Sequence, residues 1–253
     1  MALFKNKKVL CPICGSSTPR VLPMRIDGQA ICSECDKKAS VQPEILENMT
    51  ISEYAEHLAY REKNQEILNS FTDTKVVEIT KADKLHIDEK QQLLYIESVR
   101  LGKNPPVFRF DELTSFVYYE HLGTDRLFDL YKRDRCPVIV KPGEFFEEES
   151  FVSLFEDNFR GFDSLSNIVE HLRGQDERAL KREHPIDVFR FTFEFDNPYH
   201  HRLAFDGLAP YLDLDGEDPR FNGKLGWYMD QCTEIVKTAK RVGKAVDLII
   251  NGK

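Results

Sequence analysis

Two pairs of cysteines, Cys11-Pro-Ile-Cys14 and Cys32-Ser-Glu-Cys35, are separated by seventeen residues in the first part of the chain. Two residues between cysteines let a tight turn aim both thiolates at one ion. A second such pair completes a tetrahedron with Zn–S distances of about 2.3 Å. Gly15 follows the first pair, where a knuckle turn favours a positive φ that a residue without Cβ adopts freely. Between the pairs, residues 21–26 and 29–31 flank Asp27-Gly28, a dipeptide suited to a type I′ hairpin turn. Knuckle, hairpin and knuckle follow the order of a zinc ribbon or treble clef. The competing reading is two disulfides or four buried thiols. So small a module has too few apolar residues to fold on a core alone, however, and a metal supplies the missing staple. The spacing therefore predicts one zinc ion on Cys11, Cys14, Cys32 and Cys35. Four protein ligands leave no open coordination position, so the ion is expected to be structural.

At 253 residues and 41% hydrophobic content, the chain has room for this module and one larger packed domain. No run approaches the ~20 apolar residues of a membrane-spanning helix, and the opening MALFKNKKVLCP lacks the apolar stretch of a secretory signal. A soluble, cytoplasmic protein in a reducing compartment is expected, where paired cysteines serve as metal ligands. The net charge is −8, with seven basic residues against three acidic ones in residues 1–40, about +4 there and about −12 elsewhere. The basic set is Lys5, Lys7, Lys8, Arg20, Arg25, Lys37 and Lys38. An acidic chain is a poor general nucleic-acid binder, which leaves the basic module as the one part suited to such a role.

Beyond the module, Thr50-Ile-Ser-Glu53 reads as a capping box ahead of a charged helix over residues 54–68, whose few apolar residues include Leu58, Ile67 and Leu68. The periodicity then changes to that of strands at residues 75–80, 84–88, 92–98, 107–110 and 115–120, an antiparallel meander. In residues 188–196, Phe189, Phe191, Phe193 and Phe195 alternate with polar side chains, so one face packs on a core and the other meets water. Asn197-Pro198 turns the chain into a strand over residues 202–205. A long amphipathic helix over residues 228–250 carries Cys232, Ile235, Val236, Ala239, Val242, Gly243, Val246 and Ile250 on one stripe.

These features predict an α+β chain. A zinc ribbon or treble-clef module spans residues 1–45 and a connecting helix spans 46–72. Residues 73–253 then form a pleckstrin-homology-like antiparallel barrel with a C-terminal helix. Residues 123–185 read as an irregular insertion in that barrel, holding the acidic, aromatic run Gly143–Glu149, Phe151, Leu154 and Phe155 at helical spacing, and a short helix over 166–173.

Four stretches, Cys11-Pro-Ile-Cys14-Gly15, Asp27-Gly28-Gln-Ala-Ile-Cys32, Ala59-Tyr60-Arg61-Glu62-Lys63-Asn64 and Asn197-Pro198-Tyr199, occur here together. In this order the chain resembles a family of bacterial and prophage proteins with a four-cysteine zinc module, a helical link and a β-rich C-terminal domain. The resemblance covers most of the chain and is most specific in residues 11–65 and 188–206. It implies the zinc site and the domain order, and no reaction. Residues 123–185 are longer than the family pattern implies, which makes any binding role there particular to this chain.

Other candidate chemistry is sparse. His200 and His201 follow the aromatic strand near Asp196 and the acidic run Asp213, Asp215, Glu217 and Asp218, but adjacent strand residues face opposite ways and are expected to be solvated. Asp213-Leu-Asp215-Gly216 fails as a calcium loop, because the glycine comes early and Lys224 stands where a bidentate Glu belongs. Cys136 and Cys232 are single thiols, the second expected to be buried. Neither a Gly-x-Ser-x-Gly elbow nor a phosphate-cradling glycine loop occurs. The expectation is a non-enzymatic binding or adaptor protein that makes protein–protein contacts. Its alternatives are a nucleic-acid-binding regulator using the basic module, and membrane-surface binding by the barrel through Lys75, Lys81, Lys84, Arg100 and Lys103.

Overall fold

The computed structural model describes residues 9–122, 134–153, 186–208 and 221–252. In the module, Gly15 N donates to Cys11 O at 2.9 Å to close the first knuckle, with Gly15 at φ +73°. Strands β1 (Arg25–Ile26) and β2 (Gln29–Ala30) pair antiparallel around Asp27 and Gly28, both at positive φ, as a type I′ turn requires. The second pair of cysteines lies at the start of helix α1 (Ser33–Lys38), with Cys32 as its N-cap. A short helix α2 (Pro43–Leu46) leads to the connecting helix α3 (Ile51–Ser70). Thr50 caps α3 reciprocally: its hydroxyl accepts from Glu53 N at 3.3 Å, and Glu53 Oε2 accepts from Thr50 N at 2.7 Å.

The face that α3 buries is mixed, with three polar residues among five. Tyr54, His57, Leu58, Arg61 and Asn64 are buried, whereas Ile67 is exposed. These positions follow helical spacing, but only Tyr54 and Leu58 join a hydrophobic cluster, whereas His57, Arg61 and Asn64 are hydrogen-bonded. Hydrophobic periodicity does not detect such a stripe.

Beyond α3 the described residues form two antiparallel sheets. The first runs in sequence order through β3 (Lys75–Glu78), β4 (Lys84–Asp88), β5 (Leu93–Glu97) and β6 (Val107–Arg109). The second contains β7 (Leu113–Leu122), β8 (Arg135–Lys141), β9 (Glu144–Glu147), β10 (Ile186–Phe195) and β11 (Arg202–Leu208), in the order β11-β10-β7-β8-β9. The simple meander is thus corrected: β7 does not extend the first sheet but lies at the centre of the second, between β10 and β8. Among the described residues neither sheet closes on itself, and what the structure bears out is an α+β fold of antiparallel sheets with a C-terminal helix. Residues 135–147, expected in an irregular insertion, are the β8–β9 hairpin of the second sheet. The expected helix at 166–173, with Leu154 and Phe155, lies outside the described residues.

Phe189, Phe191, Phe193 and Phe195 all point into the core, where Phe195 stacks on Phe108 of the first sheet at 3.7 Å between ring centroids. On the opposite face Arg190 pairs with its cross-strand partner Asp206, Nε to Oδ1 at 2.6 Å. Helix α4 (Phe221–Ile250) closes the core against β7, β8 and β3, burying Cys232, Val236, Ala239, Val242 and Val246. Among the described residues no helix is long and apolar enough to cross a membrane.

Candidate metal centre and the interface around it

Cys11, Cys14, Cys32 and Cys35 come together with their sulfur atoms all within 4.8 Å of one another, and Cys14 Sγ lies 3.4 Å from Cys32 Sγ. Tetrahedral thiolates at about 2.3 Å from a zinc ion stand about 3.8 Å apart, so this cluster has the right size to hold one metal ion. Cys11, Cys32 and Cys35 are buried and Cys14 is exposed. Hydrogen bonding to Ser16 draws the Cys14 thiol down to about 6, while burial pushes Cys35 up. A cation offsets the cost of ionising thiols so close together, and the ligands must be thiolates to bind it.

The cluster is also the centre of a small hydrophobic core. Cys11, Cys32 and Cys35 pack with Ile26, Ile31 and Met49, and with Tyr54 and Leu58 of α3. Tyr54 Oη donates to Cys35 O at 3.2 Å. Tyr199, from the loop before β11, packs against the same cluster and lies edge-on to His57 at 4.6 Å. Gln42 completes the contact at the start of β11: its Nε2 donates to Arg202 O at 2.7 Å and its Oε1 accepts from His201 N at 3.3 Å. The module is thus locked to α3 and to the start of β11.

Two motifs far apart in sequence meet here. On α3, Arg61 Nη2 donates to Asn104 O, Asn104 Nδ2 donates to Arg61 O at 3.1 Å, and Asn64 grips the chain leading into β6. Asn197 Oδ1 accepts from Tyr199 N at 3.1 Å and from His200 N at 3.2 Å, while Asn197 Nδ2 donates to Glu112 Oε1 at 2.8 Å. Tyr60 and Tyr199 lie 4.9 Å apart, ring centre to ring centre. The Ala59–Asn64 and Asn197–Tyr199 stretches therefore make one interface, whose roles depend on contacts that spacing along the chain does not reveal.

The solvated reading of His200 is overturned. His201 is exposed, but His200 is buried in a loop, and burial followed by the nearby Arg61 charge lowers it to about 4. His57, missed in the sequence, accepts from Ser40 N at 3.0 Å and is likewise lowered to about 4 by burial and then Arg61. Both histidines are held neutral in a packed interface. Asp213, Asp215, Glu217 and Asp218 lie outside the described residues.

Cys232, Cys136, Glu120 and His86 are enclosed or already engaged. Cys232 is fully buried, which pushes its thiol up to about 12, and burial also raises Cys136. Glu120, buried and raised to about 7 by desolvation, accepts from Tyr118 Oη at 3.1 Å and from Phe151 N at 2.8 Å. Both ring nitrogens of His86 are taken by carboxylates, Asp73 at 2.9 Å and Glu97 at 3.2 Å, which leaves neither for a ligand. Comparison with protein-family models, with curated proteins and with solved structures finds no match. The functional reading therefore depends on the geometry alone.

Proposed function

We propose that this chain is a non-enzymatic adaptor that makes protein–protein contacts. In this reading Cys11, Cys14, Cys32 and Cys35 hold one structural zinc ion in a zinc ribbon or treble-clef module, and the two-sheet domain is a pleckstrin-homology-like platform. The observation that carries the proposal is the continuity of the cysteine cluster with the rest of the fold: its core includes Tyr54 and Leu58 of α3 and Tyr199 of the larger domain. A metal closed off by four thiolates, at a joint between two parts, suits a staple better than a reaction centre. The enclosed Glu120 and Cys232 and the engaged His86 support the same view. A reducing, cytoplasmic setting keeps such thiolates available to metal.

The nucleic-acid alternative is weakened by ion pairs that engage two of the basic residues. Lys38 pairs with Glu62 of α3 at 3.1 Å, which offsets one charge of the basic excess, and Lys37 is engaged by Glu34 at 3.2 Å. Elemental analysis and a cross-linking pull-down under reducing conditions test the proposal together. About one zinc per chain is expected, falling in a Cys32→Ser/Cys35→Ser variant, with specific protein partners recovered. Substoichiometric zinc in fully reduced material, or salt-sensitive nucleic acid as the dominant co-purifying species, would overturn it.

A further inference from the structure

Strand β9 is the last strand of its sheet among the described residues, and all four of its residues are exposed. Glu148 N donates to Pro137 O at 2.8 Å, which fixes the alternation of the β8–β9 ladder. Glu144, Phe146 and Glu148 turn their backbone groups towards β8, so Phe145 and Glu147 direct their N–H and C=O outwards. Side chains alternate across the sheet in the same register. Phe145 faces α4, with its ring beside Gly243, and Glu147 pairs with Lys240 of that helix at 2.7 Å. On the other face lie Glu144, Phe146 and Glu148, with Phe146 opposite Ile139 and 47% exposed. Such an edge offers backbone hydrogen bonds and an apolar spot between two carboxylates.

We infer that β9 is a docking edge for an extended basic segment of a partner protein, which adds as a further strand and presents basic, apolar and basic side chains at alternate positions. This rests on the adaptor reading and names the partner's chemistry. The apolar residue sits beside Phe146 and the two cations beside Glu144 and Glu148. Among the described residues the neighbouring cations lie behind the edge, Lys141 opposite Glu144 and Arg135 4.0 Å from Glu148 on β8, and Lys240 on α4, so an incoming strand meets the outer side of the carboxylates first. The same charges disfavour a second copy. Antiparallel pairing centred on Phe146 sets Glu144 of each copy against Glu148 of the other, and like charges directly opposite are destabilising.

The test uses the full zinc-loaded chain and an amidated, fluorescent Lys-Thr-Val-Thr-Lys peptide. Controls are the Glu-Thr-Val-Thr-Glu peptide and a backbone-N-methylated Lys version that cannot form ladder bonds. Binding followed by anisotropy is expected for the first peptide only. It should weaken with salt and become about tenfold weaker in Phe146→Ser/Glu148→Lys. Hydrogen exchange should slow at the Phe145 and Glu147 amides, while circular dichroism verifies that the variant folds. Equal binding of the methylated peptide, an unchanged affinity in the variant, or no protection at those amides would overturn the inference. Self-association in sedimentation velocity that Phe146→Ser abolishes would overturn it in favour of a second copy. Zinc content and partner capture that persist in the edge variant leave the adaptor reading standing while β9 fails.

Discussion

The joint between α3 and the first sheet concentrates enough hydrogen bonding on one side chain for its worth to be worked out. Asn64 is 2% exposed. Its Nδ2 donates to Pro105 O at 2.8 Å and to Asn104 Oδ1 at 2.5 Å, and its Oδ1 accepts from Val107 N at 2.7 Å. Pro105 and Pro106 have no N–H to offer a sheet partner, so the carboxamide substitutes for the missing ladder where β6 begins. Truncation in Asn64→Ala removes three bonds of about 1 kcal/mol net each and leaves a buried N–H and C=O without partners. The expected loss is about 3–4 kcal/mol. Gln65→Ala, which breaks only an exposed contact to Asn69, is the control and should stay within about 0.5 kcal/mol. Urea unfolding followed by circular dichroism measures both variants, and hydrogen exchange at Val107 reports the local loosening. A loss below about 1 kcal/mol in Asn64→Ala, or one matching Gln65→Ala, would refute the view that hydrogen bonding holds α3 in place.

Three further outcomes follow from packing, metal and charge. In Gly243→Ala the new Cβ would come within 2.6 Å of Val138 Cγ1, a stiff neighbour, so thermal unfolding should show a net loss of about 1–3 kcal/mol despite the better helix propensity of Ala. Chelation should expose the module and the first half of α3 to protease together, because Tyr54 and Leu58 share the cysteine core, with the Phe189–Phe195 strand cut later; simultaneous cleavage of that strand would contradict the separate core. Glu120 is raised from 4.5 to about 7, so its contribution to stability is full below about 4.5 and is lost as pH rises through 7, by about 3 kcal/mol; Glu120→Gln should therefore gain on the native chain across that window in urea titrations, and a pH-independent difference would exclude it. His57 and His200, lowered from 6.5 to about 4, act in the opposite sense: their contribution is full above 6.5 and fades as pH falls towards 4, so the Glu120 effect must be read as a difference between variants.

What could be read from the chain beforehand was governed by how local the determining physics is. The paired cysteines, the Asp27-Gly28 turn and the Thr50–Glu53 box each act within a few residues, and each forms in the structure. The alternating phenylalanines likewise identified the buried face of β10. Pairing was not legible, because β10 lies between β7 and β11 and its partner Phe116 is far from Phe193 in sequence. Periodicity identifies the buried face of a strand but not its neighbours, so spacing alone adds β7 to the meander and leaves the β8–β9 hairpin in an insertion. The inner face of α3 failed for a different reason. His57, Arg61 and Asn64 are residue types expected in solvent, and they are buried because the module on one side and residues 104–107 on the other supply hydrogen-bonding partners. Such a stripe costs free energy wherever a polar atom stays unmatched, and among the described residues Arg61 Nε and Nη1 and His57 Nδ1 find no hydrogen-bond partner. The cysteine core, Tyr199 and the Gln42 clasp add to the Asn64 hydrogen bonds in offsetting that cost, which couples the position of α3 to the state of the cysteine cluster.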